Sequence, residues 1–265
     1  TIDVLKNLNI SSTGAGNDKS NLNPIILEKN GIKIAFCAFV DKNTNPQIPN
    51  EVGIYINYFD EKKIINQIEN IKDKVDYTII SIHWGIDYSN YPTNYQSIVC
   101  KKFIDYGANI IMGHHTHTLQ PFEIYNGGYI FYSLGQICYG DYYKYGKLRS
   151  IIKKTKESVI ITLELNKNNM SLSYNSTIEL IGNKIKLTNK NYLKWSDFHL
   201  KLFKLKNKSN FINILIHIKE GFLDRINEYF FGYYQNPFLR ILELKNIKKI
   251  KFFFRDFKLN IKRDK

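Results

Sequence analysis

Residues 77–85 read Tyr77-Thr78-Ile79-Ile80-Ser81-Ile82-His83-Trp84-Gly85, and residues 109–117 read Asn109-Ile110-Ile111-Met112-Gly113-His114-His115-Thr116-His117. Each is a short apolar run that passes into histidine and glycine. Runs of this length, rich in β-branched residues and bounded by polar or glycine positions, read as buried strands. Between them, Tyr95–Tyr106 carries Val99 and Phe103 four apart, and Gly107 follows as a helix stop. Strand, helix, strand in that order predicts a right-handed crossover joining two parallel neighbours. The fold class read from this unit is α/β.

The pattern continues on both sides. Ile2–Leu8 reads as the end of a short helix and Asn9–Asn23 as a loop, with Gly14-Ala15-Gly16 at its centre. Ile32–Val40 is a third apolar strand, followed by a loop that holds Pro46 and Pro49. Asp60 caps a helix whose apolar positions are Ile64, Ile68, Ile71 and Val75. Tyr129–Leu134 is a further strand, and Val159–Leu165, Met170–Tyr174 and Ile178–Leu187 are spaced like antiparallel hairpins. Residues 1–190 therefore form one α/β domain with a parallel and an antiparallel part. Residues 191–265 change character: Phe211, Leu215, Ile218, Phe222, Ile226 and Phe230 keep a helical stripe that Pro237 breaks. This is a basic, mainly helical extension.

Composition closes off several classes. The chain has 265 residues, is 43% apolar and 14% aromatic, and contains no apolar run long enough to span a bilayer. Three cysteines at 37, 100 and 138 fit neither a disulfide scaffold nor a zinc ribbon. Cys37 and Cys100 read as core thiols. The net charge of +14 is concentrated in the extension, where 17 Lys/Arg face seven Asp/Glu. Only five of the 38 basic residues are arginine, the residue that phosphate and base recognition favours, so nucleic acid is not expected as a partner. The stretch 246–265, with Phe252-Phe253-Phe254 among lysines, could lie on an anionic membrane surface, bind an acidic polymer, or pack on the main domain with its lysines outward.

Four of the six histidines fall at 83, 114, 115 and 117, directly after the two strands of the crossover unit. Neighbouring strands lie about 4.8 Å apart, and ligands of open α/β sheets bind at the carboxyl edge. His83 and the His115/His117 pair are thereby placed within reach of one ion, with both imidazoles of the pair on one side if their backbone is extended. Neutral imidazoles suit Zn, Mn or Fe. Three imidazoles without a carboxylate could form a single zinc site with an open water position.

These residues resemble a known family. His83-Trp84-Gly85-x-Asp87-Tyr88, Pro92, Gln96, Ile104-Asp105-x-Gly107-Ala108, Gly113-His114-His115-x-His117-x-Leu119-Gln120-Pro121 and Tyr132-Ser133-Leu134-Gly135 recur in the order found in the CapA family of bacterial poly-γ-glutamate capsule synthesis proteins. The resemblance is dense across about 28–145. It implies a calcineurin-like metallophosphoesterase β-sandwich flanked by helices, with a centre of two divalent ions, Mn, Fe or Zn. On that template His83, His115 and His117 match metal-ligating, catalytic positions, and His114 falls outside the ligand set. Asp87, Glu123, Tyr132 and Ser133 match positions that line or brace the site and are the substrate-binding candidates.

The sequence also departs from the family. Asp87 replaces a usual Glu, Gln136 a usual Asn, and Thr116 a common Pro. The family's Gly-Asp, Leu-Glu and Asn-Asn-His motifs are not found, so the chain reads as the C-terminal portion of the domain. The resemblance implies a capsule-biosynthesis protein of the cell envelope, a metal-dependent phosphoester-type hydrolase acting on or handling an anionic polymer such as poly-γ-glutamate, alongside other capsule-synthesis subunits. Two other readings share the fold. One is a non-catalytic scaffold subunit of a synthesis or export complex, or an inactive remnant; the other is a general phosphodiesterase.

Overall fold

An apolar strand with no polar face can be buried on both sides only between two layers, and Ile32–Val40, Tyr77–His83 and Ile110–His114 meet that condition. In the computed structural model, which describes residues 2–44, 53–138, 142–144, 147–149, 153–181 and 184–208, they form the centre of a six-stranded sheet. In chain order the elements are α1 (Ile2–Asn7), β1 (Ala15–Gly16), β2 (Ile25–Lys29), β3 (Ile32–Val40), β4 (Tyr55–Ile56), α2 (Glu61–Ile71), β5 (Tyr77–His83), α3 (Asn94–Tyr106) and β6 (Ile110–His114). There follow β7 (Phe122–Tyr125), β8 (Gly128–Phe131), β9 (Tyr142–Lys144), β10 (Lys147–Arg149), β11 (Glu157–Leu165), β12 (Met170–Ile181), β13 (Lys184–Thr188) and α4 (Tyr192–Lys208). The large sheet has the order β2-β3-β5-β6-β8-β7, parallel from β3 through β8 and antiparallel at both edges.

Alternation along each strand sends its side chains to two different layers. Cys37, Phe39, Ile80, Ile82, Ile111, Ile130 and Tyr132 pack with Ile64 and Ile68 of α2 and with Val99, Cys100 and Phe103 of α3. The alternate positions Ile79, Ile110, Met112, Tyr129 and Phe131 meet Ile161, Leu163, Met170 and Leu172 of a second sheet, β11-β12-β13. The layers are helix, sheet, sheet: the β-sandwich with flanking helices that the family resemblance implies. Helix α2 starts at the expected cap, and α3 starts one residue before the expected Tyr95, behind a cap at Thr93. Asp60 accepts from the Lys63 amide at 2.9 Å, and Thr93 and Gln96 close a capping box on α3. Each such cap contributes about 1 kcal/mol.

Several elements differ from the sequence expectations: the short strands β1, β4, β9 and β10 are not among those expected, and the strand expected over Ile178–Leu187 is divided between β12 and β13, which pair antiparallel. Strands β2 and β7 are additional, and each joins its neighbour through an Asn-Gly pair with positive φ at both residues: Asn30 and Gly31 at 53° and 73°, Asn126 and Gly127 at 46° and 78°. That is the left-handed conformation two-residue hairpins require. The break expected between Tyr174 and Ile178 is absent, because Asn175, Ser176 and Thr177 remain in the ladder opposite Ile161, Ile160 and Val159. Their polarity is accommodated on the strand; Thr177, for instance, bonds Thr188 at 2.7 Å.

Thr1–Tyr139 and Lys153–Asn213 form one unit, which includes α4. Gly140–Ile152 and Ile214–Lys265 form a second, of which the antiparallel pair β9–β10 is described. The helical stripe 211–230, the basic segment 246–265 and the Pro46–Pro49 loop lie outside the described residues. Among the described residues no helix is long and apolar enough to cross a membrane.

Candidate functional site

Because β3, β5 and β6 are parallel, their carboxyl ends share one edge, and the ladder pairs Val40 with His83 and His83 with His114. This register makes His114 a neighbour of His83 rather than a bystander. Their Nδ1 atoms lie 2.9 Å apart, and His114 Nε2 is 3.1 Å from Ser81 Oγ. On the other side of the His83 ring, Nε2 lies 3.0 Å from His115 Nδ1. The second nitrogen of His115 faces Asp87, with Nε2 3.3 Å from Oδ1, and His117 Nε2 is 3.9 Å from the same oxygen. The ligand-capable atoms of Asp87, His115 and His117 all fall within 4.8 Å of one another.

The backbone that achieves this is not the extended one expected. His115 has φ 104° and His117 φ 60°, both left-handed, and so does Tyr88 at 61°, next to Asp87. Conformations of this kind cost of order 1–3 kcal/mol each in a non-glycine residue and persist where the surroundings over-determine them. Upstream, Gly113 lets the strands close in: a Cβ there would stand 2.2 Å from the Tyr132 carbonyl.

Burial, followed by repulsion from the His115 and His117 imidazoles, lowers the pKa of His83 below the usual value, with Asp87 opposing. Burial likewise lowers His115, again against Asp87. Part of the His114 ring faces solvent, yet its enclosure and the adjacent His83 and His115 hold its pKa down to about 4. These three imidazoles are therefore neutral near pH 7 and keep lone pairs for a cation. His117 Nδ1 donates to Gln136 Oε1, and Nε2 is the ring nitrogen that faces Asp87.

The other candidates go elsewhere. Glu123, only 6% exposed, pairs through Oε1 with Lys101 at 3.2 Å and Lys204 at 3.0 Å, and accepts from the Tyr132 hydroxyl at 3.2 Å. Tyr132 also bonds Ser97, and Ser133 is buried with its carbonyl bonded to the Gln120 amide. These side chains offer no open surface to a substrate, whereas Asp87 stands among the histidines rather than beside them. Trp84 is buried, its ring 5.1 Å from Phe59, and plugs the core. The sequence reading omits Asp41, whose carboxylate acts on His115 and whose amide donates to the His83 carbonyl at 2.9 Å. An acid directly after the apolar run of β3, at the edge where β5 and β6 also end, is the signal for it. Tyr139 and Tyr145 lie outside the described residues, as do the side chains of Tyr142 and Tyr143.

Residues 1–140 match the model of a family described as bacterial capsule synthesis protein PGA_cap. Over 177 residues the chain is 29% identical to the capsule biosynthesis protein CapA of Bacillus anthracis, covering 65% of this chain and 41% of that protein. It is 31% identical over 179 residues to the PGA biosynthesis protein CapA of Bacillus subtilis (strain 168), covering 63% and 42%. The chain thus spans about two-fifths of the length of these relatives. Among solved structures it aligns with the NAD nucleotidase NadN of Haemophilus influenzae at 13% identity and a TM-score of 0.35, covering 75% of this chain and 42% of that one. That likeness is too slight to carry an argument.

Proposed function

We infer the function from one premise: the chain belongs to the bacterial capsule synthesis protein PGA_cap family. We propose that it is a metal-dependent hydrolase of the phosphoester type in the cell envelope, acting on or handling an anionic polymer, with poly-γ-glutamate the first candidate. The observation that carries this reading is the convergence of Asp87, His115 and His117 within 4.8 Å, with His83 against His115.

The donor set fits a divalent ion. One carboxylate and neutral imidazoles are the borderline ligands that Zn, Mn and Fe take. Asp87, His115 and His117 would hold the ion, and His83 completes a four-residue cluster. When bound, a divalent ion supplies Lewis acidity, stabilising charge on a phosphoryl oxygen and lowering the pKa of water. The chain's own residues orient and hold. Gln136 fixes the His117 tautomer, Ser81 holds His114, which in turn braces His83, and the Asp41 amide ties β3 to the end of β5. The exposed Asp87 side chain faces solvent and keeps the cluster open to an incoming ester.

The test is hydrolysis of bis-p-nitrophenyl phosphate by the metal-loaded chain and by its His117→Ala variant. Activity that falls by at least about 100-fold in the variant supports the reading. Activity indifferent to the change overturns it, and metal binding without hydrolysis favours the non-catalytic subunit instead.

A further inference from the structure

Asp87 and the His115/His117 pair sit on two separate segments, 85–93 between β5 and α3 and 115–121 between β6 and β7. Four hydrogen bonds join these segments. The Tyr88 amide donates to the Thr116 carbonyl at 2.8 Å, Thr118 Oγ1 and Gln120 Nε2 donate to the Ser89 carbonyl at 2.5 and 2.9 Å, and Asn90 Nδ2 donates to the Leu119 carbonyl at 3.2 Å. Thr116, Thr118 and Gln120 are fully buried.

Helix α4 lies outside the family-matched stretch and supplies no donor to the cluster, yet it grips both segments. The Tyr192 hydroxyl donates to the Gln120 carbonyl at 3.0 Å, and the Phe122 amide donates to Ser196 Oγ at 2.8 Å. On the other segment, the Tyr91 ring stacks on His199 at 5.8 Å, and His199 stacks in turn on Trp195 at 4.1 Å. His199 Nδ1–H donates to the Trp195 carbonyl at 2.8 Å, which fixes the imidazole between the two aromatic rings. Tyr91 is 7% exposed, so this stack is packed rather than fortuitous.

The left-handed residues Tyr88, His115 and His117 need surroundings that over-determine them. The hydrogen-bonded seam supplies part of that restraint, and α4 covers the seam from outside. We propose that α4 is the clamp that sets the spacing between Asp87 and the His115/His117 pair, with His199 as its positioning residue. The consequence for cation affinity rests on the metal reading above; the clamping itself does not.

Two measurements on the full chain separate the two. The first is hydrogen–deuterium exchange by mass spectrometry on metal-free wild type, His199→Ala, His199→Phe and Tyr192→Phe, with Ile68→Val as a core variant remote from α4. His199→Ala is expected to speed exchange in 85–93 and 115–121 by about tenfold or more. His199→Phe, which keeps the stack, should restore wild-type rates. Tyr192→Phe should loosen 115–121 alone, and Ile68→Val should leave both segments unchanged. The second is Mn2+ titration, in which His199→Ala should bind about tenfold more weakly and His199→Phe within about twofold of wild type. Unchanged exchange in His199→Ala, or an equal rise in Ile68→Val, overturns the clamp. Wild-type protein that binds no Mn2+ but shows the exchange pattern overturns the metal reading and leaves the clamp standing.

Discussion

Two constellations of carboxylate and base sit on the same sheet and serve different ends. On the helix-facing side, Glu123 is buried, and two lysines and a tyrosine hydroxyl answer its charge. At the carboxyl edge, Asp87 is half-exposed, and among the described residues its ion-pair partners are the imidazoles of His115 and His117. A carboxylate facing ammonium groups is already satisfied and acts as a strut. One grouped with imidazole nitrogens at an open sheet edge forms a mixed donor set complementary to a cation. Both carboxylates fall in motifs that the sequence marks as candidate site positions, and the company each keeps distinguishes them.

The sharpest way to break the contrast is to neutralise each carboxylate in turn. Asp87→Asn should weaken Mn2+ or Zn2+ binding by at least about 100-fold, about 2.7 kcal/mol, with little change in the melting temperature of the metal-free protein. Titration calorimetry paired with thermal unfolding reads both quantities, and unaltered affinity would remove Asp87 from the donor set. Glu123→Ala should do the reverse. It leaves Lys101 and the buried Tyr132 hydroxyl short of a partner and costs about 2 kcal/mol of stability, since the lysines can still reach water. Its metal affinity should stay within about twofold of wild type, because no donor to the ion is lost. A large loss of affinity with intact stability would mean that the interior network belongs to the site.

Gln136→Ala should weaken metal binding by about tenfold through release of the His117 tautomer, a loss that Gln136→Asn would partly restore. The smallest effect is that of pH on the metal-free protein. His83, His114 and His115 have folded-state pKa values below the unfolded 6.5, so the unfolded chain takes up protons that the folded chain resists. Their contribution is complete above pH 6.5 and is lost as the pH falls toward about 4, the value to which His114 is held. Urea midpoints measured between pH 7.5 and 4.5 should decline over that window in wild type and decline less in His114→Ala.

What the sequence discloses follows from how local each cause is. Strands β3, β5 and β6 and helices α2 and α3 are legible because apolar runs, Asp60 and Gly107 act within a few residues of themselves. Strands β2 and β7, with Glu28-Lys29 and Glu123 among their apolar residues, are hidden by composition. The Asn30-Gly31 and Asn126-Gly127 turns beside them are the cue that reveals them. The joining of His83 to the His115/His117 pair follows from one crossover. The recruitment of His114 and Asp87 does not, because it depends on the His83–His114 register and on left-handed backbone at Tyr88, His115 and His117, held in place by distant residues. Gln136 carries a signal of its own as a departure from the family pattern, and its carbonyl oxygen is found on His117.

The central claim is that the edge cluster holds a metal ion. Plasma mass spectrometry of the chain purified with Mn, Fe and Zn supplied, beside a His115→Ala/His117→Ala variant treated identically, tests it most directly. The account predicts about one or two equivalents in the wild type and none in the variant. Wild-type protein free of metal, or a variant that retains the same equivalents, would contradict it.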